Sequence, residues 1–252
     1  MLDSTNQNKG MNMNTWKNNN VLAHIKESYF LEDVDNSGAS KIPSDARPVG
    51  GTIFYIDDAA DGTYEFFDVD GNVMDDVRVG DKPYAYRVVA SGTKDKYYVY
   101  YDKLYKGAWA STHDDYVYDF MGTATSIGSG KTNTEILMTK DDGAYVSVDA
   151  KGKPTIWSQL EQARNEKVGG CDDWFVPSKN EIEALRIAIK SGSITGGTIA
   201  GSSYGASIFT YKWIWSSGEY SSQYAWSWGS NGQYWYGSFK GSNYSVFFTR
   251  AF

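Results

Sequence analysis

Few residues in this chain have the type and spacing for covalent or metal chemistry, and each candidate lacks a necessary part. There is one cysteine, Cys171, and there are two histidines, His24 and His113. A single thiol leaves no internal disulfide and no multi-cysteine zinc site, and two histidines do not make a histidine-rich metal site. Ile127-Gly128-Ser129-Gly130-Lys131-Thr132 imitates a phosphate-binding loop, but the leading glycine that permits the cradle is Thr125 here, so a plain loop is expected. Asp33, Asp35, Ser37 and Gly38 start like a calcium loop, yet Ser44 occupies the place of the bidentate glutamate. That leaves an Asp-rich turn. His113-Asp114 has no nucleophile elbow around it and reads as a solvated loop pair. Cys171 has only Lys167 nearby to favour a thiolate and reads as structural. The expectation is a non-enzyme with no catalytic residue, no metal and no cofactor, and folding that needs neither.

The positive chemical signal lies at the C-terminal end. From Trp215 to Phe252 only Glu219, Lys240 and Arg250 are charged, and Trp, Tyr and Phe alternate with Ser and Gly. Tyrosine offers large, rigid, amphipathic contact area at low entropy cost, and Ser, Gly and Asn add adaptable hydrogen bonds, the vocabulary of antibody loops. Asn231-Gly232 predicts a type I′ hairpin. Its register would pair Ser230 with Gln233, Trp228 with Trp235 and Ser227 with Tyr236. One face then carries Tyr224, Trp226, Trp228, Trp235 and Phe239, and the other Ser227, Gly229, Tyr234, Tyr236 and Ser238.

The rest of the chain must position that hairpin. Its 252 residues, 41% hydrophobic and 22% charged, have ordinary globular composition. Net charge is −7 and the isoelectric point about 4.9, which argues against sequence-independent binding to nucleic acid, where clustered Lys and Arg are needed. No run approaches the roughly 20 apolar residues of a membrane span. The first twenty residues are polar and Asn-rich, with no signal sequence, so a cytoplasmic location or a place in a phage particle is expected. Residues 1–48 read as an extension or attachment arm. Strands are predicted at Thr52–Ile56, Tyr64–Phe67, Tyr86–Ala90 and Tyr97–Tyr101, with turns at Asp61-Gly62 and Asp70-Gly71. Two helices follow. Ile156, Leu160 and Ala163 recur at helical spacing before Gly169-Gly170. Ser178 and Glu181 form a capping box ahead of Ile182, Leu185 and Ile189, with Gly192 as the stop.

Several segments together resemble one family. They are Gly50-Gly51-Thr52-Ile53-Phe54-Tyr55, Gly128-Ser129-Gly130-Lys131-Thr132-Asn133-Thr134, and Asp173-Trp174-Phe175-Val176-Pro177-Ser178-Lys179 with Glu181. Trp215-Ser216-Ser217-Gly218-Glu219-Tyr220 and the terminal Arg250-Ala251-Phe252 complete the set. In order and spacing they resemble the bacterial and phage lectin-like domains related to formylglycine-generating enzymes, and within that group the variable proteins of diversity-generating retroelements. The resemblance covers residues 49–252 and leaves 1–48 outside.

The resemblance implies an α+β domain of C-type lectin fold with two helices, antiparallel strands and paired N- and C-terminal strands. Ile53–Ile56 should lie beside Val246–Arg250, and the helices should pack on that sheet through Ile182, Leu185 and Leu160. It also implies a variable region at about 215–252, in which retroelement mutagenesis turns template Asn codons into Tyr, Ser, Gly and others. Trp226, Trp235, Lys240 and Phe247-Phe248 would be framework. The implied ligand-binding residues are Tyr220, Ser222, Tyr224, Ser227, Gly229, Tyr234, Tyr236, Ser238, Ser242, Asn243 and Tyr244, expected as one exposed patch. The implied partner is a macromolecule, a protein first and a glycan as the alternative. A formylglycine-type oxidase would need a cysteine pair for copper, which Cys171 alone does not supply. A calcium-dependent lectin would need Glu-Pro-Asn or Gln-Pro-Asp, and no proline here sits in such a triplet. A calcium-independent adhesin with an undiversified Ser/Tyr surface is the remaining alternative.

Overall fold

Runs of aromatic and β-branched residues between Gly- and Asp-rich turns form strands where they can pair and bury one side. The computed structural model describes residues 42–57, 63–74, 77–80, 85–91, 96–110, 120–139, 153–191, 193–194, 209, 212–229 and 233–252. In chain order the elements are β1 (Arg47–Pro48), β2 (Thr52–Asp57), β3 (Thr63–Phe67), β4 (Val73–Met74), β5 (Tyr86–Ser91), β6 (Lys96–Tyr100) and β7 (Tyr105–Ala108). Helices α1 (Ser129–Met138), α2 (Ile156–Asn165) and α3 (Lys179–Lys190) follow. Then come β8 (Trp213–Glu219), β9 (Tyr224–Gly229), β10 (Tyr234–Phe239), β11 (Asn243–Val246) and β12 (Thr249–Ala251). The class is α+β. The expected arm up to residue 41, the Asp33–Gly38 turn, Asp61-Gly62, His113-Asp114, Gly192 and the tip Ser230-Asn231-Gly232 lie outside the described residues.

Three sheets carry the strands, in the orders β1-β5-β3-β4, β10-β9-β8-β11-β7 and β12-β6-β2. All pairings are antiparallel except β11 with β8. The two terminal strands share a sheet, but not as neighbours: β6 lies between them, with Ile53 opposite Val99 and Arg250 opposite the same Val99 on its other edge. The expected direct pairing of first and last strands is therefore corrected. The predicted terminal run also divides, because Phe247 and Phe248 leave the ladder and bury their rings in different cores. Arg250 ties the ends together. Its guanidinium donates to both carboxylate oxygens of Asp173, at 2.7 and 2.9 Å, and to the carbonyls of Pro48 and Val49. That pairing holds the Asp173 carboxyl below its ordinary range against the opposing effect of its burial.

The sheet that ends in β8, β9 and β10 separates two cores. One holds Ile182, Leu185, Ile214, Trp228 and Phe247; the other holds Trp109, Trp157, Leu160, Trp174, Trp215 and Phe248. Leu160 and the Ile182/Leu185 pair thus lie in different cores, and the two predicted helices do not share one face. The second core explains much of the tryptophan content. Trp109, Trp157, Trp174 and Trp215 are fully buried, and each indole N–H donates to a backbone carbonyl, of Ser216, Trp109, Val168 and Gly107 respectively. Large rings are buried there without stranding a donor.

Helix α1 occupies the segment expected to be a loop. Its Ser, Thr and Asn residues are poor helix formers, so tertiary contacts hold it. Buried Asn133 exchanges hydrogen bonds with Ala124 and donates to Ser217 Oγ, and buried Thr134 accepts from the Val176 N–H. The glycine-rich start does cradle an anion, an internal one. Gly128 N–H donates to Glu181 Oε1 at 2.9 Å and Gly130 N–H at 3.3 Å, while Ser178 N–H donates to Oε2 at 2.8 Å. Glu181 is also the predicted capping-box residue of α3. Burial pushes its carboxyl up and the three N–H donors oppose that shift. A Cβ on Gly130 would stand 2.2 Å from Glu181 Oε2, which is why this position holds glycine.

Cys171 is structural, as read from the sequence. It is buried against Gly50, and desolvation pushes the thiol to about 11 although Arg250 and Arg87 pull the other way.

Candidate ligand-binding surface

The β9–β10 hairpin has the register expected from Asn231-Gly232: Trp228 faces Trp235, Ser227 faces Tyr236, and the ladder runs without a bulge to Tyr224 opposite Phe239. Directly opposed residues share a face. The division into a Tyr224/Trp226/Trp228/Trp235/Phe239 face and a Ser227/Gly229/Tyr234/Tyr236/Ser238 face is therefore present in the structure. The irregularity lies one strand away. In β8, Ser216, Ser217 and Gly218 bulge out between Trp215 and Glu219, and Ser216 Oγ donates to the Trp226 carbonyl.

An ion pair anchors the hairpin's open end. Lys240 Nζ lies 2.7 Å from Glu219 Oε1, with both side chains fully buried, and 4.7 Å from the centre of the Trp109 ring. Glu219 Oε2 accepts from the Met121 N–H. The Lys240 N–H donates to the Gln223 carbonyl, which joins β10 to the β8–β9 turn. In that turn the N–H groups of Tyr220 and Ser221 both donate to the Tyr224 carbonyl.

Above these buried polar contacts stand exposed rings. Tyr220 is 56% exposed, Tyr224 40%, Tyr234 65%, Tyr236 40% and Phe239 44%. Asn243 is exposed, and Ser222, Ser242 and Tyr244 are half-buried. Three other residues of the expected patch are buried. Ser227 and Ser238 hydrogen-bond each other at 2.7 Å beneath the sheet surface, and Gly229 lies under the Trp213 ring, where a Cβ would come within 2.8 Å. Serine is small enough to be covered by its aromatic neighbours, so alternation placed these residues on the right face but did not make them accessible.

The exposed rings form two groups. Tyr236 packs on Trp213 with ring centres 5.0 Å apart, and Trp213 stacks on Tyr244 at 5.2 Å. Tyr234, opposite Gly229, belongs to this side. On the other side the Tyr220 ring lies over Gly237, whose Cβ would come within 2.5 Å of it, and meets Trp226 edge-on at 4.7 Å. Tyr224 meets Phe239 edge-on there at 6.4 Å. One continuous patch of all the tyrosines is therefore corrected to two patches on opposite faces of one ribbon.

Trp226, implied to be framework, is half-buried under Tyr220 and the Lys179 ammonium. The sequence reading missed Phe239, Trp213 and Lys179 as surface residues of this region. Phe239 was legible as Tyr224's partner across the ladder; Lys179 reaches the hairpin from the first turn of α3, which no local spacing reveals. Behind Lys179, Glu183 accepts from Arg186, which holds its carboxyl below the ordinary range with further help from a hydrogen bond to Trp235. Arg186 in turn stacks on Trp228.

Among the described residues no group of three His, Cys, Asp or Glu side chains could hold a metal ion, and no helix is long and apolar enough to cross a membrane. No protein-family model and no curated protein matches the chain.

Proposed function

We propose that the chain is a non-catalytic binding protein of receptor or adhesin type, with a C-type lectin-like domain whose C-terminal surface is diversified by a retroelement to meet varied protein targets. The observation that supports this reading is the division of labour in residues 213–246. Exposed Tyr220, Tyr224, Tyr234, Tyr236 and Phe239 stand on a hairpin fixed by other groups, the Glu219–Lys240 pair and the Ser227–Ser238 bond. Aromatic rims over a rigid support suit recognition, since anchors of this kind dominate interface energetics.

The experiment is to sequence the DNA downstream of the gene. The proposal expects a near-repeat of the segment encoding the last residues, with Asn codons in place of several Tyr and Ser codons, beside a reverse-transcriptase gene. A single-copy 3′ end with no such neighbour contradicts diversification.

One observation favours the second reading, a calcium-independent adhesin with a fixed surface. Gly229 and Gly237 each sit under an aromatic ring, Trp213 or Tyr220, that a Cβ would displace, and Ser227 is fully buried, so exchange at these positions disturbs their neighbours. Diversification that leaves Gly229, Gly237 and Ser227 constant reconciles the two.

A further inference from the structure

The two aromatic patches differ in charge, and the difference points to a ligand chemistry for one of them. On the Tyr220/Tyr224/Phe239 face, the Lys179 ammonium lies 4.1 Å from the centre of the Trp226 ring and 5.5 Å from that of Trp235. Two indoles thus hold the cation in place, at the edge of the exposed rings, where a flexible lysine would otherwise be dispersed in solvent. It forms no ion pair among the described residues. The nearby described acids have closer partners: Glu183 is bonded to Arg186 and to the Trp235 indole and feels the Lys179 charge only in addition to these, and Glu219 pairs with Lys240 in the interior. Among the described residues Lys179, Arg186 and Glu183 thus leave one net positive charge on this face, set beside Trp226, Tyr220, Tyr224 and Phe239. Over the Trp213/Tyr236/Tyr244 rings no cation lies among the described residues.

We propose that the Lys179 face receives a segment of another protein that presents a carboxylate beside an aromatic or aliphatic side chain, the carboxylate on the Lys179 ammonium and the apolar group among Tyr220, Tyr224 and Phe239. A charge already ordered by the indoles needs no further ordering when the partner's carboxylate arrives, and opposite charges across an interface select partner and orientation. The proposal rests on the reading of the hairpin as a contact surface, and its test separates the two.

The probes are random copolymers of Glu and Tyr and of Lys and Tyr, titrated against the full chain in low salt by tryptophan fluorescence, with maltoheptaose as a neutral glycan. The Glu/Tyr copolymer is expected to bind and the other two not. Lys179→Gln, checked by thermal melting to be folded, weakens that binding about tenfold or more. Tyr224→Ala/Phe239→Ala does the same, whereas Tyr234→Ala/Tyr236→Ala leaves it within about twofold. Equal binding of both copolymers, binding of maltoheptaose instead, self-association without any probe, no binding at all, or indifference to Lys179→Gln overturns the proposal. Binding that follows Tyr234 and Tyr236 overturns it while the hairpin reading stands; binding that survives both double variants overturns the hairpin reading as well.

Discussion

Around Arg250 the large rings are buried and the charged groups are paired, whereas on the β9–β10 hairpin Ser227 and Ser238 are buried while Tyr224, Tyr234, Tyr236 and Phe239 remain exposed. In the first region Trp174 is fully buried with its indole N–H on Val168, and Arg250 uses its guanidinium to join Asp173, Pro48 and Val49. In the second, Ser227 and Ser238 are buried against each other while Tyr234 and Tyr236 on the same face extend past them. The contrast shows how a surface can be rich in aromatics without those aromatics holding the fold. The hairpin is held by Trp228 and Ala225 in the cores and by a short set of buried polar contacts, and the exposed rim is added on top.

The sharpest way to break that contrast is to attack the base. Lys240→Met leaves the Glu219 carboxylate buried without its partner, and breaking such a pair costs about 3–5 kcal/mol. Urea denaturation should show a large fall in midpoint, partly restored by adding Glu219→Gln. An unchanged midpoint would mean that the pair does not anchor the hairpin.

Gly130→Ala comes next, because the new methyl meets Glu181 Oε2 and the Ser178 N–H inside the internal anion cradle. Overpacking of this kind costs about 1–3 kcal/mol, read as a lower melting temperature. Ser227→Ala then isolates the Ser238 hydroxyl and should cost about 1 kcal/mol, far less than Ser227→Tyr, which has no space at a fully buried site. Tyr234→Ala should change stability by less than about 0.5 kcal/mol in the same melts.

The smallest effect is on pH dependence. Burial pushes the Asp102 carboxyl up to about 6, and one of its oxygens has no hydrogen-bond partner among the described residues. The fold thus favours the protonated form, so this contribution to stability is complete below the ordinary carboxylate range and is lost as pH rises through about 6. Asp102→Asn should flatten the fall of the melting temperature between about pH 4 and pH 6; an identical slope in both proteins would place the effect elsewhere.

Periodicity and turn chemistry were the legible part of this sequence. The ladder from Trp228/Trp235 to Tyr224/Phe239 has the register that the Asn231-Gly232 pair predicts from sequence, and the Ser178/Glu181 capping box is present at the start of α3. Exposure was not legible, because a period of two assigns a side chain to a face but not to solvent. Ser227 and Tyr236 oppose each other and differ completely in accessibility. Helix α1 was missed for the same kind of reason. Its Asn133 and Thr134 turn inward, and their partners Ala124, Ser217 and Val176 come from other parts of the chain. The glycines ahead of it read as a plain loop for want of a leading glycine, whereas their N–H groups cradle an anion, Glu181, that the protein itself supplies about fifty residues later.

The division between a supporting base and an exposed aromatic rim is tested most directly by two melting curves. The first protein carries Ser in place of Tyr220, Tyr224, Tyr234, Tyr236 and Phe239 together; the second carries only Trp215→Ala. Exposed substitutions of about 0.5 kcal/mol each sum to about 2.5 kcal/mol, whereas emptying a buried tryptophan site costs about 3–5 kcal/mol. The rim variant should therefore melt cooperatively and above the Trp215→Ala protein. A rim variant that melts below Trp215→Ala, or without a cooperative transition, would show that the exposed rings hold the fold and would contradict the account.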